Sequence, residues 1–295
     1  MGSEHPDVAA SLNGLVALYG EQGQYEEAEP LARRVLRIRE QALGPEHPEV
    51  ARPLNNLALI SMDRGQYIEA ERLYQRALHI WEQALGPEHP NVTYPLNNLA
   101  ENYRKQGQYT EAEPLYRRAL SIREQEWGTE HPDVATSLNN LAELYREQGQ
   151  HEQAIPLYQQ ALHIFEQVLG SGHPDVAHPL NGLAEAYREQ GRQEEAERLA
   201  LRALAIREQA LGDEHLDTAD SLGTLASIYQ EQGRYKEVEP LLQRALMIRE
   251  RIVGVEHPKL IGLLEHYTSL LRQLSREEEA MRFEVRMRAI REGSL

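Results

Sequence analysis

The feature that most constrains this chain is a repeated unit, which occurs seven times at a constant step of 42 residues without insertion or deletion. The dipeptide His-Pro marks the step, except that His215 is followed by Leu216. Because one such unit is too small to bury its own apolar face, a regular step of this length predicts a stack of similar units. The histidines that define the step are His5, His47, His89, His131, His173, His215 and His257.

Each repeat has the pattern of two helices joined by a tight turn. In the fourth repeat, Pro132 suits the first helical position, and apolar residues then follow at helical spacing as far as Tyr145. Gly149 can take the positive φ that ends a helix. A second apolar stripe, which includes Tyr116 and Ile122 in the third repeat, follows the turn. Every repeat is therefore predicted to be a helical hairpin.

Residues 98–119 read NLAENYRKQGQYTEAEPLYRRA and alternate large with small side chains. The residues that carry this pattern are Leu99, Ala100, Tyr103, Gly107, Tyr109, Ala112, Tyr116 and Ala119. The stretch resembles the tetratricopeptide repeat (TPR), and the longer unit is similar to the 42-residue subclass found in kinesin light chains. The resemblance implies an all-α fold, a right-handed α-solenoid (superhelix) of seven stacked helical hairpins whose first helices line the concave groove. It also implies a binding role without catalysis.

The repeat pattern sets the expected domain organisation. We expect residues 1–3 to be a remnant of cloning and residues 4–295 to form a single TPR array. The repeats are predicted over residues 5–46, 47–88, 89–130, 131–172, 173–214, 215–256 and 257–295. The last repeat has Glu265 and His266 in place of asparagine, and Ser275 in place of the turn glycine. We interpret it as a polar cap.

Asparagine recurs at two adjacent positions of the first helix, although it is a poor helix former. In a helical projection of the fourth repeat, Asn139 and Asn140 lie about 115° and 145° from the apolar direction, on opposite sides of it. The resemblance places this polar side in the groove, where an amide can both donate to and accept from a peptide backbone. The alternative is that the amides bond within the scaffold. The predicted peptide-binding asparagines are Asn55, Asn56, Asn97, Asn98, Asn139, Asn140 and Asn181.

Other residues on the same side complete the predicted peptide-binding set. One position changes from repeat to repeat, and such variation would set specificity. It holds Arg52, Tyr94, Thr136, His178 and Asp220 in five successive repeats, and the first four are included in the predicted peptide-binding set. Glutamates and arginines three residues apart either contact the ligand or neutralise each other. These are Glu101, Arg104, Glu143, Arg146 and Arg188, with Glu185 as the partner of the last.

Composition and spacing argue against several other functions. A net charge of −16 does not favour nucleic acid or anionic membranes as partners. No apolar run approaches the roughly 20 residues of a membrane span. The periodic histidines lie one per repeat, and stacked helices about 10 Å apart would not bring them to one zinc ion. We therefore expect structural turn histidines, no metal, no cofactor and a cytoplasmic protein without cysteine.

The bulky aromatic residues are expected to pack rather than to bind. Trp81 and Phe165 occupy equivalent positions in the second and fourth repeats and are predicted to lie between repeats. Trp127 replaces a leucine before a glycine and is predicted to belong to the core.

The sequence favours an interaction scaffold that binds a peptide segment of a protein partner in its groove and is not an enzyme. One alternative is the sensor or regulatory region of a larger signalling ATPase or transcriptional regulator. Another is a self-assembling structural array, in which copies of the chain associate. The sequence leaves open the partner, the oligomeric state, whether the chain is a fragment, and whether it is natural or built from a consensus.

Overall fold

A computed structural model describes residues 6–292 of the chain, which leaves His5 and the expected cloning remnant at residues 1–3 outside the described part. Within that range the chain forms fourteen α-helices and no strand, so the expected all-α fold is confirmed. The helices are α1 (Pro6–Glu21), α2 (Tyr25–Leu43), α3 (Pro48–Asp63), α4 (Tyr67–Leu85), α5 (Thr93–Lys105), α6 (Tyr109–Trp127), α7 (Pro132–Glu147), α8 (His151–Leu169), α9 (Ala177–Glu189), α10 (Gln193–Leu211), α11 (Leu216–Glu231), α12 (Tyr235–Val253), α13 (Ile261–Gln273) and α14 (Glu277–Glu292). One-turn 3-10 helices at Pro90–Val92, Pro174–Val176 and Pro258–Leu260 precede α5, α9 and α13.

The chain divides into two compact units, Met1–Gln148 and Gly149–Leu295. In the first unit α1, α3 and α5 each pack against the next helix to form hairpins, and each later first helix packs on the preceding second helix. In the second unit the same arrangement joins α9 to α10, α11 to α12 and α13 to α14. The hairpins of the predicted repeats are therefore the building blocks of both units.

The turns between paired helices have the predicted backbone. Gly149 follows α7 with φ of 72°, in the left-handed region that glycine enters without strain. In the last repeat Ser275 takes the same place with φ of 58°. A residue with a Cβ adopts this left-handed backbone only with strain. The loss of glycine in the last repeat therefore leaves the turn geometry unchanged.

The periodic histidines cap the helical segment that begins each repeat, which is the first α-helix itself or the one-turn 3-10 helix before it. In each of the six described cases, Nδ1 accepts a hydrogen bond from the backbone N–H two residues later, at 3.0–3.3 Å. The side chain thus satisfies one of the donors that a helix N-terminus leaves unpaired. The six are His47, His89, His131, His173, His215 and His257, and their predicted structural role is confirmed.

Two of the three bulky aromatic residues singled out above fill spaces between helices. Trp81 and Phe165 are buried as predicted, and Trp81 donates from Nε1 to the carbonyl oxygen of Pro48 at 3.1 Å. Trp127 was expected in the core, and this was wrong. It is the last residue of α6, is 36% exposed, and stacks on His131 with ring centroids 5.0 Å apart. At a helix end, fewer neighbours are available to cover so large a ring.

Candidate functional site

Within each unit, successive first helices approach one another directly. In the first unit α3 contacts α5, and in the second unit α9 contacts α11. We call the solvent-facing side of these first helices the groove face. One position on it is exposed in every repeat from the second to the sixth. It holds Arg52, Tyr94 and Thr136 in the first unit and His178 and Asp220 in the second.

In the first unit, several of the predicted peptide-binding asparagines bond within the scaffold. Asn97 is only 7% exposed, and its Nδ2 donates to the carbonyl oxygen of Thr93, one turn back, at 2.9 Å. The Nδ2 of Asn98 donates to Oδ1 of Asn55 at 3.2 Å and so links α5 to α3. The Oδ1 atoms of Asn97 and Asn139 are buried without a hydrogen-bond partner among the described residues. The structure thus brings the asparagines together, but Asn97 is buried, whereas it was expected to face the groove.

The neighbouring asparagine position is more open. Asn56 and Asn140 are half-buried, and neither amide bonds to any side chain or backbone group in residues 6–292. These two amides keep donors and acceptors available on the groove face.

In the second unit the asparagine positions have changed. The Nδ2 of Asn181 donates to Oγ of Ser221 at 3.0 Å, which joins α9 to α11. The next residue, Gly182, lies against the buried ring of Tyr158, because a Cβ at this position would stand 2.3 Å from the ring carbon Cε1. The close approach of this ring explains why no asparagine side chain fits there.

The predicted glutamate–arginine pairs are formed, and they neutralise one another. Arg104 bonds Glu101 at 2.8 Å and also contacts Glu147 of α7. Tyr116 donates to the same Glu101 at 2.9 Å. Burial raises the pKa of Glu101, but the hydrogen bonds from Arg104 and its positive charge outweigh burial and hold the pKa below its usual value. This carboxylate is therefore ionised, and Arg104 and Tyr116 already bind it.

The other pairs repeat this pattern. Arg146 bonds Glu143 at 2.6 Å, and Arg188 bonds Glu185 at 2.9 Å. Arg188 also contacts Glu231 of the next first helix. Arg104 and Arg188 thus also link adjacent repeats, and little of the charge of the three arginines remains for a ligand.

Arg52 differs from the other groove arginines. It is exposed, and no hydrogen bond or ion pair joins it to another residue of the described chain. It borders a depression of about 410 Å³ in the first unit. The depression is lined by Asn13, Arg39, Pro48, Glu49, Arg52, Pro53, Trp81, Leu85 and Asn91. Arg39 is already paired with Glu49 at 3.0 Å, so Arg52 is the charge in this lining that lacks a counter-ion within residues 6–292.

An aromatic pair lies beside the same depression. The rings of Trp81 and Tyr94 are 6.4 Å apart between centroids and tilted by 56°. Trp81 is buried, whereas Tyr94 is 48% exposed. The pair therefore presents one face of an aromatic cluster to solvent next to the unpaired Arg52.

Two buried arginines were not identified from the sequence. Arg123 and Arg207 are 7% and 2% exposed, and neither has a carboxylate at ion-pair distance in the described chain. Burial lowers the pKa of both guanidinium groups, against the opposing charges of nearby aspartates. Each donates from Nη1 to the serine fourteen residues later, Ser137 at 2.8 Å and Ser221 at 3.0 Å. The sequence feature that could have identified these two arginines is the serine fourteen residues after each of them.

Residues 6–292 contain no cluster of three or more histidine, cysteine, aspartate or glutamate side chains arranged to hold a metal ion. None of the helices in that range is both long and apolar enough to cross a membrane.

Comparison with known proteins identifies related repeats along the chain. Family models described as "Tetratricopeptide repeat" match residues 8–49, 49–125, 93–167, 133–209, 175–251 and 217–292. Among curated proteins no match is found.

Solved structures with the same fold are numerous. The nearly identical TPR-like repeats of a Podosopora anserina protein of kinesin light chain type share 32% identity with this chain, covering 70% of it and 98% of their own length, with a TM-score of 0.55. BtubC (BKLC) from P. vanneervenii shares 26% identity over 81% of this chain and 93% of its own, with a TM-score of 0.57. A Rap protein complexed with Competence and Sporulation Factor shares 15% identity over 98% of this chain and 99% of its own, with a TM-score of 0.59, which shows a common fold.

Proposed function

This chain belongs to the tetratricopeptide repeat family, in its kinesin light chain-like type, and from that premise we propose that it binds a peptide segment of a protein partner along the groove face, without catalysis. The observation that carries the proposal is Arg52. It is exposed and has no partner in residues 6–292, on a face where the other predicted arginines are neutralised. The Rap complex supports the idea that this fold can hold another molecule.

The charge pattern supports an acidic group in the part of the ligand that meets the first unit. A guanidinium group has five donors in a planar fork and pairs best with a carboxylate or phosphate. Arg104 already has Glu101 and Glu147 as partners, so a ligand anion gains less there. At Arg52 a ligand carboxylate would supply the missing counter-ion.

The aromatic pair supports an apolar side chain next to that acidic group. Tyr94 offers exposed ring surface beside buried Trp81, and the depression that Trp81 and Arg52 line is large enough for one side chain. Burying such a side chain contributes about 1.5–3 kcal/mol.

The open amides of Asn56 and Asn140 support contact with the ligand backbone. Each has both donor and acceptor capacity and no bond within the described chain. Contacts to a backbone do not depend on the ligand's sequence, so specificity would come from Arg52, Tyr94, Thr136 and His178. We do not propose the regulatory or self-assembling alternatives, since no contact of the described residues favours either.

The proposal is tested by selecting peptides from a random display library on the full chain and titrating one selected peptide against variants. Arg52→Glu should weaken binding at least tenfold, about 1.4 kcal/mol, because it places a negative charge where a carboxylate should bind. The matched control is Arg37→Glu, an exposed arginine of α2 that also has no partner in the described chain. Affinity unchanged in Arg52→Glu, or lowered equally in the control, would contradict the proposal.

A further inference from the structure

Arg207 holds the groove residue His178 in one protonation and tautomeric state. Its Nη2 lies 3.1 Å from Nδ1 of His178, and its Nη1 donates to the carbonyl oxygen of Asp217 at 2.8 Å and to Ser221 at 3.0 Å. A guanidinium group only donates hydrogen bonds, so Nδ1 must accept. The ring proton of His178 then sits on Nε2.

We propose that Arg207 is a positioning residue that fixes His178 as a neutral hydrogen-bond donor, and that Nε2–H of His178 binds a carbonyl or carboxylate oxygen of the peptide and sets specificity in the second unit. This inference rests on the proposed function, because it names the chemistry that one groove residue selects. His178 is an exposed residue, and its Nδ1 faces the buried Arg207, which leaves Nε2 as the ring nitrogen without a bond to the described chain.

The charges around His178 keep the ring neutral. Burial of its inner edge is the larger cause that lowers the pKa of His178, and the positive charge of Arg207 adds to it. Three acidic groups oppose this shift, namely Asp175, Asp217 and Asp220. Asp220 is itself bonded to Arg249 at 2.5 Å. With the pKa below its usual value of about 6.5, His178 is neutral at pH 7 and keeps Nδ1 as an acceptor.

The equivalent place in the first unit lacks this coupling. Arg123 donates to the carbonyl oxygen of Asp133 at 2.9 Å and to Ser137, as Arg207 does to its counterparts. Its Nε points to Oγ1 of Thr93 at 3.4 Å rather than to the exposed Tyr94. Both units therefore bury an arginine, but only in the second does it orient the exposed residue above it.

Nitrogen-15 NMR of the free full chain tests the positioning step without a ligand. The ring signals of His178 are identified by their loss in His178→Gln. At pH 7 we expect Nδ1 to be unprotonated and Nε2 to carry the proton, and Arg207→Met should turn this into the mixture of the two tautomers seen in a histidine side chain free in water. A proton on Nδ1, or a mixture in the unmodified chain, would overturn the proposal. The spectrum of the unmodified chain tests the predicted tautomer of His178 even if the Arg207→Met variant does not fold.

Titration with the display-selected peptide tests the binding step. His178→Ala should lower affinity about tenfold, and His178→Gln, which keeps a donor, should recover part of the loss. The control is His163→Ala, an exposed histidine of α8. If the peptide binds and His178→Ala stays within twofold of the unmodified chain, this proposal fails and the proposed function stands. If no library peptide binds the chain, the proposed function fails, and the ligand contact of His178, which depends on it, fails as well.

Discussion

The first unit presents Arg52, Tyr94 and Thr136 on its groove face, whereas the second presents His178 and Asp220 at the same position. The framework beneath them is nearly the same. In both units an arginine of a second helix bonds to a serine of the following first helix. The difference shows that the repeat fixes the backbone through its buried positions, while the exposed position is free to change chemistry from one repeat to the next.

The asparagine positions show a second difference between the units. In the first unit Asn98 bonds to Asn55, and Asn140 is open. In the second unit Gly182 replaces asparagine, because the ring of Tyr158 occupies the space. A position that bonds to a neighbour or stays open in one unit is thus a packing position in the other.

The largest expected effect is at Gly182. Gly182→Asn restores the residue typical of the repeat, yet its Cβ would lie 2.3 Å from the fully buried ring of Tyr158. We expect a loss of about 1–3 kcal/mol in the free energy of unfolding, measured by urea denaturation. The matched control is Gly14→Asn in the first unit, where an added Cβ meets nothing within 4 Å. Equal stability of the two variants would show that Tyr158 moves away without cost.

The next effect compares one asparagine from each unit. Asn181→Ala removes a hydrogen bond to Ser221 that joins two repeats, so we expect a loss of about 1 kcal/mol in unfolding free energy. Both side chains also have a buried Oδ1 without a partner in residues 6–292, but Asn97→Ala removes a bond only within its own helix, and Ala is the better helix former by about 0.6 kcal/mol. The melting temperature of the Asn97→Ala variant should therefore be unchanged or higher. The reverse order of the two stabilities would argue against these assignments.

Much of the fold could be predicted because each local feature depends on a residue that recurs. His131 caps α7, Pro132 starts it, and Gly149 allows the turn that follows it. None of these roles requires knowledge of a neighbouring repeat. The same reasoning failed for Trp127, since its burial depends on which residues cover the end of α6.

The site was harder to predict because its bonds cross from one repeat to another. A helical projection places Asn97 and Asn98 on the polar side, but it cannot show that Asn98 reaches Asn55 or that Asn97 is buried. Arg123 and Arg207 were missed for a related reason. An arginine on a second helix is expected in solvent, and its burial becomes evident only beside the serine of the next repeat.

The smallest effect is a pH dependence located in the second unit. Burial lowers the pKa of both His178 and His266, with the charges of Arg207 and Arg188 as the second cause. Folding therefore favours their neutral forms, so this contribution to stability is complete above about pH 6.5 and is lost as the pH falls below it. Urea midpoints at pH 7.5 and pH 5.5 should differ less in the double variant His178→Gln/His266→Gln than in the unmodified chain. An unchanged difference would mean that these histidines titrate alike in the folded and unfolded chain.

Photo-crosslinking tests the central claim, that a peptide binds on the groove face, most directly. A display-selected peptide that carries a photoreactive residue is irradiated with the full chain, and the crosslinked residues are identified by mass spectrometry. We expect crosslinks at exposed residues of the first helices, such as Tyr94, Thr136 and His178. Crosslinks confined to exposed residues of second helices, such as Ile68 of α4 and Met247 of α12, would contradict the account.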